Sequence, residues 1–210
     1  VEFEIIYQGV IAGDAPGVEA EVRASLDQGV AAEKLLDEAL IPAMDEVGRL
    51  FEEGELFVPE MLVAARAMQT ALNVLRPLLA ETGVEPMGTV ALGTVSGDLH
   101  DIGKNLVGLM LEGAGFEVDD IGVDVPPARF VEAARSGTQV LGMSALLTTT
   151  MPAIKTTINA LVEAGVRDSV KVIIGGAPVT QAYADEVGAD GYAADAASAV
   201  RMTKKLLGVG

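Results

Sequence analysis

Apolar positions recur along the chain in two different rhythms, and the change falls between residues 82 and 88. Before it the spacing is helical. Met61, Ala64, Ala65, Met68, Leu72, Leu75 and Leu79 follow one another at three- and four-residue steps, which lines one face of a helix from Pro59 to about Leu79. Pro59 suits a first helical position, where a missing N–H costs nothing, and Glu60 suits the positive end of the helix dipole. Upstream, Pro16–Gln28, Ala31–Leu40 and Pro42–Glu53 read as further helices. Four amphipathic segments with short connections predict a four-helix bundle over residues 1–86.

Past the segment Thr82-Gly83-Val84-Glu85-Pro86-Met87-Gly88, short Val/Ile/Leu runs alternate with amphipathic stretches. Strands are predicted at Gly88–Val95, Glu117–Asp120, Gln139–Ser144, Val170–Ile174 and Gly191–Ala193. Helices are predicted at Gly103–Gly113, Pro127–Ser136, Met151–Ala164, Thr180–Val187 and Asp195–Leu207. Apolar strands separated by helices imply a parallel sheet covered on both faces. The expected class is therefore α/β: a helical unit over 1–86, then a flavodoxin-like, doubly wound, five-stranded parallel sheet domain over 87–210.

Composition narrows the chemistry. Of 210 residues, 31 are Asp or Glu and 14 are Lys or Arg, for a formal charge of -17. Nucleic acid and anionic membranes call for a basic stripe, so neither is expected as a partner. The acids concentrate in residues 1–87, with 17 against 5 bases, while residues 88–210 hold 14 against 9. No Cys is present, which excludes disulfides, thiolate metal sites and cysteine nucleophiles; a single His excludes any site that needs two. No apolar run reaches the length of a membrane span, and acids stand near the start where an export signal carries positive charge, so a cytoplasmic protein is expected.

In a doubly wound sheet, ligands bind beyond the carboxyl ends of the strands. The loop after the first strand holds the one histidine, in Ser96-Gly97-Asp98-Leu99-His100-Asp101-Ile102-Gly103. The third strand leads into Ser144-Ala145-Leu146-Leu147-Thr148-Thr149-Thr150, and the fourth into Gly175-Gly176-Ala177-Pro178. Each loop alone has a structural reading, as helix caps or turns. Neither the dinucleotide fingerprint nor a phosphate-binding loop is present. Three small-residue loops on one sheet edge suit a large ligand.

Asp98-x-His100-x-x-Gly103, Ser144-x-Leu146 and Gly175-Gly176 together resemble the signature of His-ligated cobalamin-binding domains. Asp45 to Gly54, followed by Phe57-Val58-Pro59-Glu60-Met61, resembles the cap module that precedes that domain in cobalamin-dependent methionine synthase. Small corrinoid proteins of methyltransferase systems share both modules. The resemblance implies a cobalamin or related corrinoid, with His100 as lower axial ligand to cobalt in place of the cofactor's own base. It implies that Asp98 orients His100, and that Thr150 stands third in the relay, where the family often has Ser. It further implies cofactor contacts from Gly97, Leu99, Asp101, Ile102, Gly103, Ser144, Leu146, Thr148, Gly175, Gly176, Ala177 and Tyr192. Phe57 and Met61 would shield the upper face.

The function so implied is that of a methyl carrier, a cofactor-bearing component rather than a complete enzyme. It would accept a methyl group on Co(I) from a substrate-specific methyltransferase. It would pass the group on as methyl-Co(III) to an acceptor methyltransferase using a folate or thiol coenzyme, with a reductive activator as a further partner. Two alternatives stay open. An adenosylcobalamin mutase subunit shares the His motif but lacks the cap, and a corrinoid-sensing regulator adds a basic DNA-binding segment that is not seen here.

Overall fold

The computed structural model describes residues 2–83 and 85–209. The chain divides into two compact units, one comprising Val1–Pro86 and Glu112–Gly115, the other Met87–Leu111 and Phe116–Gly210.

The helical cap contains α1 (Glu2–Ala12), α2 (Ala15–Asp27), α3 (Ala32–Leu35), α4 (Ile41–Glu52) and α5 (Val58–Thr82). The first of these lies upstream of the predicted elements. Its sequence is rich in β-branched residues and interrupted by Gly9, which disguises the helix. Its logic is tertiary: Ile6 and Val10, one turn apart, are fully buried, and a Cβ on Gly9 would stand 2.8 Å from Val18 Cγ2 of α2. The missing side chain lets the two helices approach. Asp14 caps α2 by accepting from the Gly17 N–H.

Leu36–Leu40 joins α3 to α4 as a single widened π-helical turn, with the Ile41 N–H reaching Leu36 O. Pro42 follows at once and has no N–H to offer the preceding turn, so the helix widens where a regular ladder would break. Expected residues Met61, Ala64, Ala65, Met68, Leu72, Leu75 and Leu79 of α5 are all buried. Gly83 ends α5 in a left-handed conformation, φ 71°.

The second unit carries β1 (Thr89–Val95), β2 (Glu117–Val125), β3 (Val140–Ser144), β4 (Lys171–Gly175) and β5 (Gly191–Ala193). All pair in parallel, in the order β2-β1-β3-β4-β5. This is the flavodoxin-like order, with its switch between β1 and β3. The helices are α6 (Ile102–Gly113), α7 (Pro127–Arg135), α8 (Pro152–Glu163), α9 (Gln181–Val187) and α10 (Ala196–Leu207). One face of the sheet buries Ala91, Leu141, Met143, Val172 and Ile174 against Phe130, Ile154, Leu161 and Ala184 of α7, α8 and α9. On the other, Gly108 of α6 lies over Leu92, and Gly191 lies against Met202 of α10.

The one large departure from the predicted strands is β2, which runs past Asp120 to Val125. Its register against β1 slips twice, from Leu92↔Asp120 to Gly93↔Gly122 and then Val95↔Val125. These bulges insert residues on the β2 side and bend its end toward the loop after β1. Among the described residues no helix is long and apolar enough to cross a membrane.

Candidate cofactor-binding site

The three loops foreseen from the sequence meet at one sheet edge. Thr94, Ser144, Gly175 and Ala193 stand side by side in register across β1, β3, β4 and β5. Chain direction alone places everything that follows them above the carboxyl ends of the strands.

Asp98 is the centre of the arrangement and is 1% exposed. Its Oδ1 accepts from His100 Nδ1 at 2.7 Å and from the His100 N–H at 3.1 Å. Its Oδ2 accepts from the Leu146 N–H at 2.8 Å and from Thr150 Oγ1 at 2.7 Å. Thr150 Oγ1 also lies 2.9 Å from Leu147 O, but its single proton goes to the stronger acceptor, the carboxylate. Burial alone opposes ionisation of Asp98. The donors Thr150, Leu146 N–H and His100 overcome it and hold the carboxyl well below the usual carboxylate range.

An ionised Asp98 makes His100 Nδ1 the donor, so the other ring nitrogen, Nε2, is left with its lone pair. The His100 side chain is about half exposed, and no described residue hydrogen-bonds Nε2. A second anchor comes from below: Thr94, fully buried, donates to His100 O at 2.8 Å.

The glycine pair is explained by the chain itself. A Cβ on Gly176 would sit 1.9 Å from Ala145 O at φ +123°, and one on Gly175 would sit 2.9 Å from Ala193 O. Only glycines let the loops after β3 and β4 pass this closely. Gly103, by contrast, has nothing within 4 Å of its Cβ position. Space beside the first turn of α6 is open.

A family model described as a B12 binding domain matches residues 88–201, more than half of the chain, and a second B12 binding domain model matches residues 3–76. The chain belongs to the B12-binding family. It is 49% identical over 176 residues to dimethylamine corrinoid protein 1 of Methanosarcina acetivorans, covering 83% of each chain. Its structure is similar to that of a cobalamin-binding protein from Desulfitobacterium hafniense, at a TM-score of 0.81, 32% identity and 97% of each chain. It is similar as well to a chain of the methanol:cobalamin methyltransferase complex from Methanosarcina barkeri, at a TM-score of 0.86 and 30% identity, covering 99% of this chain and 80% of that one.

The residues fit a B12-type cofactor. A single imidazole, His100, presents an Nε2 that no described residue hydrogen-bonds, with its Nδ1 held by a carboxylate, and it could serve as a ligand to a bound metal. Around it stand large apolar side chains that water does not favour: Leu99 and Ile102 are 72% and 79% exposed, and Leu146 and Leu147 are exposed on the loop tied to Asp98.

The remaining expected residues fall as follows. Gly97 has φ +85°, and Gly97, Asp101, Thr148 and Ala177 are exposed on the loops at the sheet edge, while Ser144 is half-buried there. Tyr192 is half-buried and packs against the core from β5. In the cap, Phe57 is 63% exposed just before α5, its N–H donating to Glu60, whereas Met61 is fully buried. Two residues that local sequence pattern does not single out, Thr94 and Asp124, brace the His100 loop from below and from β2. Their signal is weak: a lone Thr inside an apolar strand, and an Asp in a bulged stretch of β2 that no periodicity reveals.

Proposed function

We propose that this chain is a methyl carrier, holding a corrinoid through His100 and moving a methyl group from a substrate-specific methyltransferase to an acceptor methyltransferase. The bound corrinoid supplies a cobalt centre able to take up a methyl group and release it. The observation that carries the reading is the hydrogen bond of 2.7 Å between His100 Nδ1 and Asp98, which fixes the tautomer and leaves Nε2 as a lone-pair donor. The kinship with a dimethylamine corrinoid protein supports the methyltransferase setting.

The chain's own residues bind, orient and tune. Asp98 withdraws to the buried side of the loop and holds the imidazole in one orientation. Thr150 and the Leu146 N–H keep that carboxylate ionised, so it accepts from the ring rather than giving up a proton of its own. Leu99, Ile102, Leu146 and Leu147 offer an apolar seat beside His100. Ser144, Thr148, Gly175, Gly176, Ala177 and Tyr192 line the approach for the displaced tail of the cofactor. Phe57, exposed just before α5, is the helical-unit residue we assign to shielding a methyl group from water. A reductive activator completes the set of partners, returning the cofactor to its reactive state after accidental oxidation.

Reconstitution tests the reading. Protein mixed with excess hydroxocobalamin and desalted is expected to retain about one corrinoid per chain, read from its visible spectrum, given a preformed site of this kind. After chemical reduction to the Co(I) state it is expected to gain a methyl group when supplied with a methyl donor and its methyltransferase. Colourless protein after desalting would overturn the proposal.

A further inference from the structure

Asp124 is the one non-glycine among the described residues with a left-handed backbone, φ 50°. Asp tolerates that region better than most residues, but it is still strained there. Such a conformation persists when its surroundings demand it, and here three hydrogen bonds do. The Asp124 N–H donates to Asp98 O at 2.9 Å. Asp124 Oδ1 accepts from the Gly97 N–H at 2.7 Å and from Ser96 Oγ at 3.4 Å. One residue at the end of β2 thus grips three consecutive residues of the loop that carries His100.

The bulges in β2 exist in register terms only at this place. The slips from Leu92↔Asp120 to Val95↔Val125 add two residues on the β2 side, in the stretch that holds Asp124. Gly97, at φ +85°, turns its N–H toward the Asp124 carboxylate. All of the Asp98 carboxylate's contacts are taken by His100, Leu146 and Thr150. Its backbone is held separately, by Asp124. The two anchors differ in purpose: one orients the carboxylate, the other orients the chain on which carboxylate and imidazole both ride.

We infer that Asp124 is a positioning residue for axial ligation: its clamp on Ser96, Gly97 and Asp98 keeps the loop in the conformation that aims His100 at the cofactor. The inference rests on the ligation of cobalt by His100 proposed above. It assigns Asp124 no contact with the cofactor, so corrinoid held through the tail slot survives its loss while the His100 bond weakens.

The test uses the full chain, reconstituted with hydroxocobalamin and reduced to the paramagnetic cobalt state. With 15N-histidine-labelled protein, two-line rather than three-line nitrogen superhyperfine splitting in the EPR spectrum reports an axial imidazole from the protein and not the cofactor's own base, and the visible spectrum reports total corrinoid. Wild type and Asp124→Asn, which keeps an oxygen acceptor and tolerates the left-handed backbone, are expected to show the splitting. Asp124→Ala and Asp124→Gly are expected to lower the ratio of ligated to unligated cobalt by about tenfold, the effect of losing hydrogen bonds of ordinary net strength, with corrinoid content little changed. Asp124→Gly relieves the backbone strain, so it carries the test even where the alanine variant folds poorly. Two-line splitting of wild-type intensity in Asp124→Gly overturns the clamp. Absence of two-line splitting in the wild type overturns axial ligation itself, and the clamp with it.

Discussion

Asp98 and Thr150 lie 52 residues apart in the chain, yet Thr150 Oγ1 donates to Asp98 Oδ2 at 2.7 Å in a buried position. The acid that orients His100 is therefore itself oriented by the loop after β3. A relay assembled from two strands' loops is as rigid as the sheet between them, because Thr94 and Ser144 are register partners at its base.

That contact sets the first expectation. Thr150→Val keeps the shape but removes the donor, leaving a buried carboxylate short of one hydrogen bond. A loss of about 1–3 kcal/mol in apo-protein stability is expected, measured by urea denaturation, with Thr150→Ser close to wild type. A valine variant as stable as wild type would show that the hydroxyl does not serve Asp98.

Acid should reveal the same array. The native carboxyl of Asp98 titrates below its unfolded value because Thr150, Leu146 N–H and His100 favour the ionised form. Its contribution is complete above about pH 4–5 and is lost as pH falls toward the native value. The stability difference between wild type and Asp98→Asn should accordingly stay flat from neutral pH to about 5 and shrink below about 4. A difference that grows on acidification would contradict this assignment.

His100→Ala separates ligation from binding. The variant should still take up corrinoid from hydroxocobalamin through the tail slot, with a visible spectrum unlike that of wild type in both oxidised and reduced states. Matching spectra would remove His100 from the cobalt.

Two glycines should behave in opposite ways. Gly176→Ala drives a Cβ to within 1.9 Å of Ala145 O at a positive φ, so a loss of about 3 kcal/mol or failure to fold is expected. Gly103→Ala meets nothing within 4 Å at the start of α6, so apo stability should hold or rise by about 0.5–1 kcal/mol. Corrinoid uptake should nevertheless fall, since the open space there is read as the cofactor's. Unimpaired uptake in Gly103→Ala would assign that space to solvent.

Lys104 and Asp120 make an asymmetric pair: the lysine is buried, with Nζ 2.5 Å from Asp120 and 2.7 Å from Asn105 Oδ1, while the Asp120 side chain is about half exposed. Removing the exposed partner strands a buried charge; removing the buried one does not. Asp120→Ala should therefore cost more than Lys104→Met in thermal unfolding of the apo-protein. The reverse order would mean that the lysine head group is solvated.

Much of this was legible before any coordinates. Helical spacing from Met61 to Leu79, strands separated by amphipathic helices, and one His two residues after an Asp all come from local pattern, and local pattern follows from backbone periodicity. The reach of β2 to Val125 did not, since bulges shift register without changing composition. Helix α1 did not either: Gly9 looks like a helix breaker until Val18 is seen against it.

The amino-acid sequence by itself determined the parts: a helical unit, a parallel α/β unit, one imidazole with a neighbouring carboxylate, and no second His or Cys to compete with it. Only the tertiary structure decided how they act. It showed that four donor groups converge on the Asp98 carboxylate, that Thr94 and Asp124 hold the loop, and that Gly175 and Gly176 are required by the backbone beside them. The physical reason is distance along the chain. Propensity and periodicity act over a few residues, whereas hydrogen bonds between loops spanning Thr94 to Gly176 exist only after the sheet has set their register.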